Sequence, residues 1–482
     1  MLIDLAKNRP DFSATIFDVC IIGGGVAGII LAIKLGQAGR NVLLVEAGDQ
    51  DVSTKSQAYY RGELGQLENL PLQETRIRAL GGSSQHWAGW CRQFDAYDFV
   101  RSDLSRDGAW PISKTDLDPY FNEAMTILGV TQSSGVDGDL ADVVGNFRTI
   151  RMHFSKPPAN LGANYFHELQ HSKSITLMLN AAYLSATLDT ERPIVKSIAV
   201  HDERSADPLI CTARQFVFSM GAVENVRHML ILNRDNRFGD IARNLGCYYM
   251  QHLHQELGQF VILKESVPVF AKGTRQFMAS TAEYLRSKGR GAFRLYWTKL
   301  THCSDLIDRF RNLATGASCH GAASAGTLSI TSEQMPSFDS RVLLTGTNDD
   351  LGLPRVKLDW RISDQDAITL REAALEFGRY LIRAKIGRLN VNPDILNLDN
   401  PLRGSTMLPG AHGAAGHQMG GARMSSNPSD GVVDKNCRVW EIENLYLAGS
   451  AVFRTSSHAT PTFTIAQLAL RLADTINRRL AG

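Results

Sequence analysis

The run Asp18-Val19-Cys20-Ile21-Ile22, continuing through Gly23-Gly24-Gly25-Val26-Ala27-Gly28, constrains the fold of this chain more than any other stretch. Its first five residues suit a strand with an apolar core face. Val26, Ile29, Ile30 and Ile33 then recur at i, i+3, i+4 and i+7, which predicts a helix that Gly39 closes before a second strand over Val42 to Val45. This is one βαβ unit with G-x-G-x-x-G at its first junction. Gly23 permits the tight turn, Gly25 lets the backbone approach a pyrophosphate, and Gly28 lets helix pack on strand, while the helix N-terminus offers partial positive charge to phosphates. Glu46, ending the second strand, is placed to accept hydrogen bonds from an adenosine ribose and disfavours a 2′-phosphate. A dinucleotide site follows, with FAD and NAD both open on these residues alone.

At 482 residues the chain exceeds what one hydrophobic core usually supports, which predicts two intimately packed domains with an enclosed site between them. Lys plus Arg (51) nearly cancels Asp plus Glu (49), and no long like-charged run occurs, so no nucleic-acid footprint is visible. The seven cysteines show neither CxxC spacing nor an even framework. Reduced thiols in a cytoplasmic compartment are expected, with no disulfide, no zinc and no other metal site. The N-terminus lacks a basic start with a sustained apolar run, and no stretch approaches the roughly 20 apolar residues of a membrane span. The expectation is an unexported protein without a membrane span.

A helix is predicted within "KTDLDPYFNEAMTILGV" and a second strand-turn-helix in "RQFVFSMGAVENVRHMLILNR", broken at Gly221. Pieces such as "ELGQFVILK" and "SRVLLTG" between turns predict a sheet-rich second domain. No repeat or linker separates the two, so an interleaved arrangement is expected.

Two further blocks carry chemistry. In "RALGGSSQHWAGW", Gly81-Gly82-Ser83-Ser84 make a turn whose N–H and hydroxyl groups suit a phosphate or a flavin edge, and His86, Trp87 and Trp90 suit shielding of a ring. The second block runs from His417 in H-x-M-G-x-x-R-M through "GVVD" and "ENLYLAGSAVF" to "SSHATPTFTI" and "LALRLAD". Trp87 and Trp90 are read either as a platform for a sugar face or as core.

With the fingerprint, these blocks resemble the glucose-methanol-choline (GMC) oxidoreductases over most of the chain. The resemblance implies an α/β fold: a Rossmann-like FAD-binding domain over 1–100, 190–255 and 410–482, and an interleaved, sheet-containing α+β substrate domain over 101–189 and 256–409. It implies FAD held by Gly23, Gly25, Gly28, Glu46, Gly82, Ser83, Ser84, His86, Gly221, Gly449, Ser450, Ala451, Thr462 and Phe463. Glu224 and Asn225 match the family's second strand-turn-helix beside the cofactor. Where the family commonly carries aspartate this chain has Gly449, so only backbone contacts carry over there. In some members the histidine matching His86 is bonded covalently to FAD and in many it is not; non-covalent FAD is the expectation, a link through His86 the alternative.

Oxidising an alcohol requires the hydroxyl proton to leave as hydride departs the carbon, and a neutral imidazole suits the first task. The family's base matches His417. His412 lies outside the match, and His252 and His254 match a region where the family often has a histidine in a structural role. Helical spacing from Ile465 to Ile476 starts a helix at Pro461, with Thr460 as its N-cap. Its N-terminus would face the flavin pyrimidine edge, with the Thr462 and Phe463 amides as donors. The family usually carries Asn or His where this chain has Thr460, and a threonine hydroxyl cannot act as a base near neutral pH. Either Thr460 orients substrate beside His417, the favoured reading, or His458 takes the second role.

The expected function is oxidation of an alcohol group of a sugar, glycoside or polyol, with oxygen or another electron acceptor and the choice between oxidase and dehydrogenase open. The alternative is a lyase or other non-oxidising enzyme that keeps FAD.

Overall fold

The computed structural model describes residues 1–65, 71–100, 109–134, 138–139, 146–262, 277–297, 301–302, 324–397 and 416–482. The expected strand-turn-helix is present: the Ile16–Ile22 strand leads through Gly23 into the Val26–Gln37 helix and back to the Val42–Val45 strand. Its parallel sheet runs Leu2–Asp4, Ile175–Leu179, Val42–Val45, Ile16–Ile22, Leu209–Phe218, with Leu445–Leu447 parallel to the far half of the last strand. Strand order reverses direction at Ile16–Ile22, the switch point where open α/β sheets leave a crevice beyond their carboxyl ends. Val42–Val45 and Ile175–Leu179 are buried throughout, as strands covered on both faces must be. The hairpin of Ala182–Leu188 and Val195–His201 joins antiparallel at the near half of Leu209–Phe218.

The second sheet is antiparallel, in the order Gly387–Val391, Leu253–Ile262, Ser324–Ser332, Phe293–Trp297, Phe277–Ser280, Phe147–Ile150 and Gly138–Asp139. One face packs on the Asp364–Arg383 helix, where Phe147 meets Tyr380 and Phe260 meets Phe377. The opposite face presents the cross-strand row His254, Thr331, Arg294 and the next row Glu256, Ser329, Tyr296, Phe277 to a cavity. A bulge between Glu256 and Gly258 resets the alternation. His254 and Glu256 can therefore face the cavity while Phe260, also even-numbered, faces the helix. Gly258 is needed there, because its φ is +149° and a Cβ would stand 2.1 Å from the Asn390 carbonyl oxygen.

Two segments differ from the expected division. Ile175–Leu179 and Ala182–Leu188, within 101–189, hydrogen-bond into the parallel sheet, and the Leu253–Ile262 strand straddles the boundary at 255 while belonging wholly to the antiparallel one. Sequence pattern cannot assign such strands, because an apolar run reads the same in either sheet. Buried apolar residues from both sheets join one continuous core. Among the described residues no helix is long and apolar enough to cross a membrane, and Cys20, Cys91, Cys211, Cys247 and Cys437 are buried free thiols.

The third glycine of the fingerprint is the tightest point of this frame: a Cβ at Gly28 would lie 1.9 Å from the Gly23 carbonyl oxygen and 2.8 Å from Ser219 Oγ. Gly28→Ala is expected to cost about 3 kcal/mol or more and to yield protein with a lowered Tm and a reduced flavin-to-protein absorbance ratio.

Candidate active site

A cavity of about 550 Å³ extends from the fingerprint to the antiparallel sheet, lined among others by Gly23, Gly25, Glu46, Gly82, Ser83, Ser84, His86, Gly221, His417, Gly449, Ser450, Thr460 and Thr462. Local geometry at its first end is that of a phosphate cradle. Gly23 has φ +106°, and a Cβ at Gly25 would meet nothing nearer than the Ser219 carbonyl oxygen at 3.9 Å, so backbone there is open to a ligand. No side chain caps the Val26–Gln37 helix, leaving its first N–H groups for an anion. Glu46 accepts from Gly24 N at 2.7 Å and Gly48 N at 2.8 Å, an orientation that keeps the carboxylate on the cavity wall.

The Gly82–Gln85 stretch is a 3-10 turn entered through Gly81 at φ +98°. Ser84 is buried, donating to the Gly81 carbonyl and accepting from Leu161 N, so it holds the turn; Ser83 is the exposed hydroxyl. His86 lines the cavity, and burial lowers its pKa. Trp87 donates from its ring nitrogen to the Ala159 carbonyl at 2.8 Å, and Trp90 stands edge-on to Phe154, Phe277 and Tyr296. Both tryptophans line the cavity and both are packed.

Gly221 has φ +87° and Gly449 φ +101°, and a Cβ at either would meet nothing within 4 Å. Gly449 opens a turn facing the cavity with no side chain. Gly28, Ala451 and Phe463 stand behind the wall instead: Ala451 accepts from Ala422 N, and the Phe463 ring packs on Phe121. Glu224 lines the cavity in an ion-pair network with Arg76 (2.7 Å) and Arg227 (3.1 Å), the latter also bonded to Asp349 (2.6 Å). Asn225 holds the junction, accepting from Met220 N and donating to the Ala448 carbonyl.

At the other end stands His417. Its Nδ1 lies 2.8 Å from His252 Nδ1, and His252 Nε2 lies 2.8 Å from the Ser456 carbonyl oxygen. A carbonyl can only accept, so His252 carries its proton on Nε2; burial holds that ring neutral, its Nδ1 accepts, and His417 must donate from Nδ1. The Nε2 lone pair of His417 is left without a hydrogen bond among the described residues. Burial, with Arg294 and His254 nearby, lowers the His417 pKa to about 3, which keeps the ring neutral and able to accept a proton. The ring nitrogens of His252, His254 and His417 come within 4.8 Å of one another, but those joining His252 to His417 are at hydrogen-bonding distance. His412 lies outside the described residues.

Thr460 differs from expectation in one respect. It is the N-cap of the Pro461–Ala481 helix, yet its side chain makes no cap bond and donates instead to the Trp90 carbonyl at 2.7 Å. The helix amides stay open, and the Thr460 oxygen can only accept from a ligand. His458 faces elsewhere: it is 2 % exposed, does not line the cavity, and its Nε2 is 3.0 Å from Asp95 Oδ2. Its sequence position beside Thr460 hid this, because Ser457 turns the backbone at φ +54°.

Among the cavity residues that pattern reading did not single out are Arg294, Tyr296 and Thr331, which arrive on strands beside His254. Alternation in "GAFRLYWTKL" was the available signal, without a means of telling which face meets the cofactor.

An FAD-dependent oxidoreductase profile matches residues 18–125, and a GMC oxidoreductase profile matches residues 336–469. The chain is 22 % identical to 2-methyl-1,2-propanediol dehydrogenase of Mycolicibacterium austroafricanum, over 97 % of this chain and 96 % of that one. It is 22 % identical to the fructose dehydrogenase large subunit of Gluconobacter japonicus, over 95 % and 97 %. Pyridoxine 4-oxidase from Mesorbium loti shares the fold at TM-score 0.56, with 18 % identity over 95 % of this chain and 99 % of that one. The protein is therefore an FAD-dependent oxidoreductase, and the open cradle at Gly25, the uncapped helix and Glu46 fit that cofactor. It belongs to the glucose-methanol-choline oxidoreductase family.

The buried histidines make a measurable prediction. The pKa values of His228 and His417 are lowered to about 3 and those of His254 and His458 to about 4, chiefly by burial, below the usual 6.5 of an unfolded chain. Between those values the unfolded state binds more protons, so stability is fully present above pH 6.5 and falls as pH drops. The Tm is expected to decline steadily from pH 7 to pH 5, as thermal melts would read.

Proposed function

We propose that this protein oxidises an alcohol group of a sugar, glycoside or polyol, with His417 Nε2 removing the hydroxyl proton. The observation that carries this reading is the chain Ser456 carbonyl, His252, His417, which leaves one unprotonated nitrogen in the cavity. FAD, when bound, supplies the acceptor for the hydride that leaves the alcohol carbon. Thr460 accepts a hydrogen bond from a substrate hydroxyl and orients it beside His417; His458 takes no part in the chemistry. The uncapped start of the Pro461–Ala481 helix, with Thr462 on the cavity wall, favours negative charge at the flavin edge. The names of the two full-length relatives, a diol dehydrogenase and a fructose dehydrogenase, agree with a polyol or sugar substrate.

The same reading divides the chain between an FAD-binding part built on the parallel sheet, including 175–188 besides 1–100, 190–252 and 416–482, and a substrate part built on the antiparallel one. FAD is held without a covalent bond, so acid precipitation should leave all yellow colour in the supernatant.

Anaerobic mixing with a panel of sugars, glycosides and simple alcohols should bleach the flavin. His417→Ala should keep FAD and slow that bleaching by about 10²- to 10⁴-fold, whereas His458→Ala should lower Tm with a much smaller effect on the rate. Equal slowing in both variants would transfer the second role to His458, and absence of bleaching with every alcohol would overturn the function.

A further inference from the structure

Arg294 is buried in the cavity wall without an anionic partner among the described residues. It is 2 % exposed, sits on the Phe293–Trp297 strand, and is paired in register with Thr331, which is itself opposite His254. A guanidinium carries five N–H donors in a fixed fork. Here Nη2 reaches Thr331 Oγ1 at 3.3 Å, Nη1 touches Met152 Sδ at 3.9 Å, the Trp90 ring centre is 5.5 Å away, and Nε has no hydrogen-bond partner among the described residues.

Other buried arginines are treated differently: Arg78 donates to the Ala47 carbonyl and to Ser56 Oγ, and the rest meet carboxylates. Arg76 and Arg227 meet Glu224, Arg227 also meets Asp349, and Arg423 and Arg454 meet Asp430. Among the described residues no carboxylate pairs with Arg294. Burial and the neighbouring Arg92 pull its pKa down to about 10, and Tyr296 alone acts in the opposite sense. Arg92 has its own partner in Asp95, and Glu256, one row along, is exposed and makes no ion pair with Arg294. An uncompensated buried cation is strongly unfavourable unless a ligand supplies the missing charge.

We propose that Arg294 binds a carboxylate of the substrate, so that the alcohol oxidised here belongs to an acid such as a sugar acid or another polyhydroxy acid. The fork matches a carboxylate in a bidentate pair, and one cation flanked by neutral imidazoles balances a monoanion rather than a phosphate dianion. Thr331 and His254 complete a polar row that places this anchor on the wall shared with His417. The proposal rests on the alcohol-oxidising reading of the cavity.

Two measurements on the holoenzyme test it. Titration with acetate, read in the FAD absorbance spectrum, should show saturable binding that Arg294→Met weakens by at least about 30-fold and Arg294→Lys partly restores. Anaerobic bleaching should favour glucuronate over glucose and glycerate over glycerol by at least about 10-fold in kcat/KM, and Arg294→Met should abolish that preference. Neutral alcohols bleaching as well as their acids, together with no acetate response in the unmodified enzyme, overturns the proposal without any variant having to fold. An Arg294→Met enzyme that keeps the preference but shifts the flavin midpoint potential also overturns it, assigning the guanidinium to the cofactor. Loss of bleaching with every alcohol would instead remove the underlying function, and the acetate titration still reports on Arg294.

Discussion

Everything in this molecule is arranged around the closeness of backbone at one strand-to-helix junction. The Gly23 carbonyl, Gly28 and Ser219 meet with no room for a Cβ, and Ser219 donates from its hydroxyl to the Ile22 and Gly23 carbonyls at 2.9 and 2.7 Å. This contact sets the Val26–Gln37 helix hard against the neighbouring Leu209–Phe218 strand and aims uncapped N–H groups along the crevice. Because the strand order reverses at the same strand, Gly221 and Gly449 reach the crevice from the middle and the end of the chain.

The other end of the cavity is held by the segment 455–460, five of whose six residues are hydrogen-bonded to groups distant along the chain. Thr455 accepts from the Trp110 ring nitrogen, the Ser456 carbonyl accepts from His252, Ser457 donates to Asp98, His458 pairs with Asp95, and Thr460 donates to the Trp90 carbonyl. Burial of so many polar groups is tolerable only because nearly all are partnered. The consequence for chemistry is indirect: a main-chain carbonyl in this segment dictates, through His252, which nitrogen of His417 is free. In the proposed chemistry His252 is accordingly a positioning residue, and its contribution is the tautomer it imposes.

The antiparallel sheet supplies the third constraint. Its face toward the cavity is decided by the pleat and by the bulge at Gly258, which turn His254, Thr331 and Arg294 inward together. A one-residue change of register would exchange this polar row for the apolar row that packs on the Asp364–Arg383 helix.

The nucleotide half of the molecule was legible in the sequence because its requirements are local. G-x-G-x-x-G, the helical period after it and Glu46 lie within one βαβ unit, and glycine at those positions is demanded by backbone geometry that adjacent residues already imply. The motif around His417 was legible for its residue types, but the sequence could not show that its nitrogen would be oriented by His252, distant along the chain. His458 illustrates the same limit: adjacency to Thr460 suggested a shared site, and a left-handed Ser457 sent the side chain to Asp95. The sequence by itself determined the strand-glycine-helix frame and the residue types around His417, since both depend on short-range chemistry. Only the tertiary structure decided which lone pair is free, which hydroxyl is committed and that Arg294 meets no carboxylate among the described residues, because each of those is set by groups brought together across both sheets.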